Sequence, residues 1–155
     1  MRLSALLSRV TPAERRLLLV LGVGLLPWSV QVFSTGPPTL LFAWGLVNLA
    51  PLNVTTLTDF LFRFTRGLPD FILAWPLGVV CYLVALASAV VAVWLGREDV
   101  RVTAAGLFLA GITQFEVARG FSIQPGRTAW PVGTVFLWAL AGYLYWSRAS
   151  SRTRE

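Results

Sequence analysis

Side chains able to do chemistry are few in this sequence, and the most suggestive of them gather on one stretch. Thr113, Gln114 and Glu116, followed by Arg119, stand at the polar end of an apolar run from Val102 to Ala118. Glu116 is the only acidic residue well inside such a run, and an ionisable group near a membrane interior is costly unless it is paired or used. It reads either as part of a recognition face or as a structural pair with Arg119 at i+3. Arg63 and Arg66, on a separate amphipathic segment, complete a candidate polar interaction face with Thr113, Gln114, Glu116 and Arg119.

The rest of the chemical inventory is thin. The chain has no histidine and one cysteine, so the commonest general base is missing and no Cys/His metal cluster can form. Nor does it hold a Gly-rich phosphate loop or paired carboxylates on one face, and it reads as a non-enzyme with no cofactor and no metal. Cys81 lies within an apolar run with no second cysteine to activate it, and reads as a small inert residue.

The elements that must position these residues are apolar. Of 155 residues 56% are hydrophobic and 13% charged, and the mean hydropathy is +0.70. A small domain in water exposes too much of its chain for that balance, so the composition points to a lipid bilayer. All thirteen basic residues are arginine, and the net charge is +6. Because the arginines collect at the ends of apolar runs, the charge reads as topology and lipid-headgroup contact, not as a nucleic-acid surface.

Four spans are expected: 12–34, 71–95, 102–118 and 128–146. Thr11-Pro12-Ala13-Glu14 opens the first with a cap, a first-turn proline and a capping box. A cleaved signal peptide competes for this segment, but its apolar run is long and further spans follow. The second and third spans are joined by the tight turn Gly96-Arg97-Glu98-Asp99-Val100-Arg101 and must form a hairpin. Residues 1–10 read as a cytoplasmic amphipathic N-terminus and 147–155 as a cytoplasmic tail.

Residues 35–70 fit no clean crossing. Leu40 to Ala50 is too short, and Pro51 interrupts any extension. Leu57, Phe60, Leu61 and Phe64 repeat at i, i+3, i+4 and i+7, the spacing of an amphipathic helix. The block is therefore expected to be a re-entrant or interfacial helical segment on the outer side. A four-span layout puts nine arginines on the side of both termini and four opposite; five spans give eight against five. The fold class expected is an all-α, four-span bundle in the cell membrane with both termini cytoplasmic, and five spans as the alternative. Asn53-Val54-Thr55 would then face outward with a glycosylation pattern.

Helices in lipid pack through small residues, and Ala85/Ala89 and Gly106/Ala110 are placed to bring the hairpin arms together. The function read from these features is an accessory or scaffold subunit whose partners are the bilayer and another membrane protein or a second copy. The alternative is a small-solute transporter or channel subunit with a path at Thr113, Gln114 and Glu116.

Several stretches carry a resemblance: Trp28-Ser29-Val30-Gln31, Trp44-Gly45-Leu46-Val47-Asn48, Thr65-Arg66-Gly67-Leu68-Pro69, Gly96-Arg97-Glu98-Asp99 and Pro131-Val132-Gly133-Thr134. On these the chain resembles small haloarchaeal integral membrane proteins encoded near archaeosortase A, over about 17–146. The lysine-free composition agrees. The resemblance implies a link to processing or anchoring of surface proteins at the outer face, and no site residue.

Overall fold

The computed structural model describes residues 10–152 except 65 and 98, so all but the last residue of the expected N-terminal segment 1–10, and the end of the tail at 153–155, lie outside the described residues. Thr11 caps helix α1 (Pro12–Leu25) with both halves of a capping box. The Glu14 N–H donates to Thr11 Oγ1 at 3.2 Å, and the Thr11 N–H to Glu14 Oε2 at 2.7 Å. The helix stops because Pro27 disfavours helical backbone at Leu26, which is extended.

A strand begins where a continued helix was expected. β1 (Ser29–Phe33) is followed by β2 (Thr39–Leu41), β3 (Gly45–Leu49) and β4 (Leu52–Thr56). Near the other end of the chain β5 (Arg127–Trp130) returns to pair with β1, giving an antiparallel sheet in the order β4-β3-β2-β1-β5. Ala50 and Pro51 are the whole turn between β3 and β4.

Register explains an inverted polarity. Gln31 pairs with Thr39 and Ala129, Thr39 with Asn48, and Asn48 with Asn53, so one row across five strands is largely polar. Its face is turned inward at the centre, where Ser29, Gln31 and Thr39 are buried. Val32, Leu49, Leu52, Val54 and Trp130 lie on the opposite face and are exposed.

After β4, the Thr56 hydroxyl accepts from the Asp59 N–H and starts a helical turn, α2 (Leu57–Asp59), which widens to a π-helix over Phe60–Phe64. A 3₁₀ turn (Asp70–Leu73) leads into α3 (Ala74–Leu95). Gly96, at φ +62°, ends α3 in a left-handed conformation that glycine adopts without a steric penalty. Asp99 then caps α4 (Val100–Ser122), and α5 (Val132–Arg152) completes the chain.

Four helices pack side by side: α3 on α4, α4 on α5, and α1 against both α3 and α5. The α3/α4 seam is tight where Gly106 faces Ala85. A Cβ at Gly106 would lie 2.7 Å from the Cys81 carbonyl oxygen and 3.0 Å from the Ala85 Cβ. Ala85, Ala89 and Ala110 are fully buried. Tyr82 donates to the Val20 carbonyl at 2.9 Å and meets Trp28 edge-on, joining α3 to α1 and to the root of the sheet.

The architecture is thus mixed α/β, and the all-α reading is corrected. The segment expected as an outer re-entrant or interfacial helix instead carries three strands of a sheet, followed by a short helical turn and a π-helix. Span 12–34 divides into a helix of 14 residues and β1, and span 128–146 opens with β5. The four-span transmembrane description, with its five-span alternative, is corrected with it. Among the described residues two helical segments, Asp70–Leu95 and Val100–Ser122, are long and apolar enough to cross a membrane, not four or five. α1 is too short and α5 ends in polar residues.

Candidate ligand-binding site

The polar sheet face looks onto a cavity of about 330 Å³ closed by the 3₁₀ turn, the start of α3 and the end of α4. Its floor is the central part of the polar row: Gln31, Thr39 and Asn48. Register alone puts these three side by side, because paired residues of antiparallel strands project to the same face. The Thr39 hydroxyl donates to Asn48 Oδ1 at 2.6 Å. Gln31 is 6% exposed, and no hydrogen-bond partner of its side-chain amide is found among the described residues.

Apolar walls rise around that floor. Phe60 and Trp75 form one side, their rings 5.5 Å apart, and the Trp75 indole N–H is fixed by donating to the Phe42 carbonyl at 3.0 Å. Phe33 and Phe121 form the other, edge to face at 5.6 Å. At this side the Arg127 guanidinium lies over both rings, 5.9 Å from the centroid of Phe33 and 5.5 Å from that of Phe121, and donates to Gln124 Oε1. Among the described residues Arg127 is the only charged one lining the cavity.

The residues expected from the sequence to form one polar face occupy three different settings. Thr113 is buried and donates to the Ala110 carbonyl of its own helix at 2.8 Å. Gln114 is 0% exposed, with no partner for either amide atom among the described residues, and sits beside Gly78 of α3. Glu116 points outward and accepts from Arg119 at 3.0 Å, an exposed i,i+3 pair. Arg63 pairs with Asp59 at 3.4 Å, and Arg66 is exposed. None of these six lines the cavity.

From the sequence, Gln31, Asn48, Gln124 and Arg127 belong with other polar residues to a broad outer rim, a docking face or shallow pocket; it does not set Gln31, Thr39 and Asn48 side by side, because they are apart in the chain. Only strand register gathers them. One signal was present: Ser29, Gln31 and Phe33 alternate with Val30 and Val32, a period of two inside what looked like a helical run.

Among the described residues no group of three or more His, Cys, Asp or Glu is placed to hold a metal ion. No curated protein matches the chain. The profile of one family does, over residues 4–155, nearly the entire sequence, and the chain belongs to that family, DUF8050, a domain of unknown function.

Proposed function

We propose that the protein works at a cell membrane as an accessory or scaffold subunit, with its helical layer against lipid and the sheet-capped end free for recognition. One observation carries this reading. Apolar side chains are exposed along the helices, including Leu77, Leu83 and Val84 on α3, Leu109 and Phe115 on α4, and Val135 and Phe136 on α5. In water a monomer rarely exposes so many large apolar side chains together on one layer.

Charge supports the same arrangement. Arg15 and Arg16 begin α1, Arg97 and Arg101 flank the α3–α4 turn, and Arg148 reaches that turn from the end of α5. They mark the end of the layer remote from the sheet, which under the positive-inside bias is the cytoplasmic end, with both termini on that side. The sheet then faces outward. The resemblance to proteins encoded near archaeosortase A makes a component of surface-protein processing the first partner to test.

Two measurements test the reading. In vesicles of lipid brominated on its acyl chains, tryptophan emission should be quenched, and Trp138→Phe should remove part of that quenching, because Trp138 is exposed on α5. Absence of acyl-chain quenching would place the helices outside lipid. Purification from the source membrane in mild detergent should give a complex of fixed stoichiometry with a second membrane protein. Recovery of this chain alone would overturn the accessory role.

A further inference from the structure

We propose that the sheet-capped cavity binds a small apolar monocarboxylate, its acid group held by Arg127 and the amides of the polar row and its apolar body packed between Trp75 and Phe121. This deepens the recognition reading of the sheet-capped end and specifies what is recognised there.

Unused hydrogen-bonding capacity collects around this cavity. Asn48 spends its carbonyl oxygen on Thr39, which leaves its NH₂. Gln124 spends its carbonyl oxygen on Arg127, which again leaves an NH₂. Gln31, nine-tenths buried as a residue and lining the cavity floor, adds an amide with no side-chain hydrogen bond among the described residues. Arg127 has five N–H donors and gives only one to Gln124 among the bonds seen. The groups left over are therefore mainly donors, and no Asp or Glu among the described residues lines the cavity.

A donor-rich, acidic-free site fits a ligand that brings acceptors and negative charge. One guanidinium matches one carboxylate, ideally through two parallel bonds, whereas a phosphate dianion would call for a second cation that the lining lacks. The aromatic walls require the remainder of the ligand to be apolar, and about 330 Å³ suits a small molecule with a single ring or a short branched chain.

The test uses the full chain in detergent and needs no lipid, so its result is independent of the quenching experiment above. Three probes share one ring: 4-fluorophenylacetate, 4-fluorophenylacetamide and 4-fluorophenethylammonium, each titrated by fluorine NMR. The carboxylate should bind saturably, about tenfold or more tightly than the neutral amide, and the ammonium should not bind. Arg127→Gln, an exposed substitution that leaves the sheet register intact, should bring the carboxylate down to the level of the amide. Gln31→Leu should weaken both. Equal binding of all three probes, no saturable binding of the carboxylate, or an undiminished carboxylate preference in Arg127→Gln would each overturn the proposal.

Discussion

Arg148, near the end of α5, donates through Nη1 to Oδ1 of Asp99 at 3.0 Å, although 49 residues separate them. The same carboxylate oxygen accepts from the Arg101 N–H at 3.1 Å and caps α4. One side chain therefore starts one helix and tethers another at the end of the layer remote from the sheet.

Asp99 makes that end sensitive to acid. Its carboxyl is held below the ordinary value first by the Arg101 backbone N–H and then by the Arg148 guanidinium. A carboxylate whose folded-state pKa is depressed stabilises fully above its unfolded value, about 4, and loses that contribution as pH falls through the folded-state value. The parent should therefore lose thermal stability below about pH 4 more steeply than Asp99→Asn, followed by circular dichroism in detergent. Parallel pH profiles would remove Asp99 from the acid response.

The Gly106 contact should be intolerant of bulk. Gly106→Leu has no space between Cys81 and Ala85, and overpacking should cost roughly 1–3 kcal/mol, read as a lowered melting temperature. A Cβ at Gly142, inside α5, would meet nothing within 4 Å, so Gly142→Ala should instead raise stability by about 0.5–1 kcal/mol.

Gln114 carries a buried amide with neither atom bonded. Replacing it by an apolar residue of similar length removes the desolvation penalty, so Gln114→Leu should stabilise by about 1–2 kcal/mol. A lower melting temperature for this variant would show that the amide is hydrogen-bonded in solution.

Glu116 and Arg119 are both substantially exposed, which limits what their pair contributes. Glu116→Gln should change stability by less than about 1 kcal/mol while leaving the helix content unaltered by circular dichroism. A larger loss would mean that Glu116 has a second role in folding.

Much of the helical layer is legible in the sequence. The capping box at Thr11 and Glu14, the Gly96 stop and the Asp99 cap are local signals, and each lies where chemistry within one turn predicts it. The sheet is not legible for a specific reason: its inward face mixes Ser29, Gln31, Thr39 and Asn48 with Leu41 and Leu46, while Val32, Leu49, Leu52 and Val54 are exposed on the other. Leu52 and Val54 alternate with Asn53 and Thr55, but the usual rule of apolar side inward would orient that strand the wrong way. Likewise Leu57, Phe60, Leu61 and Phe64 have helical spacing, yet their segment is a short turn followed by a π-helix rather than a regular amphipathic helix. The cavity is one step further removed, since it depends on a register that only the assembled sheet defines.

The pairing of β1 with β5 has a mechanical consequence. β1 follows α1 after three residues and β5 precedes α5 by one, so the neighbouring helices α1 and α5 are each joined to a strand, and the strands are bonded from Val30–Trp130 to Phe33–Arg127. A bonded strand pair that keeps its faces can slide only by two residues, a jump of about 6.8 Å. Small piston movements of α1 against α5 are therefore blocked at the sheet, and the ribbon acts as a ratchet tooth that sets their relative height.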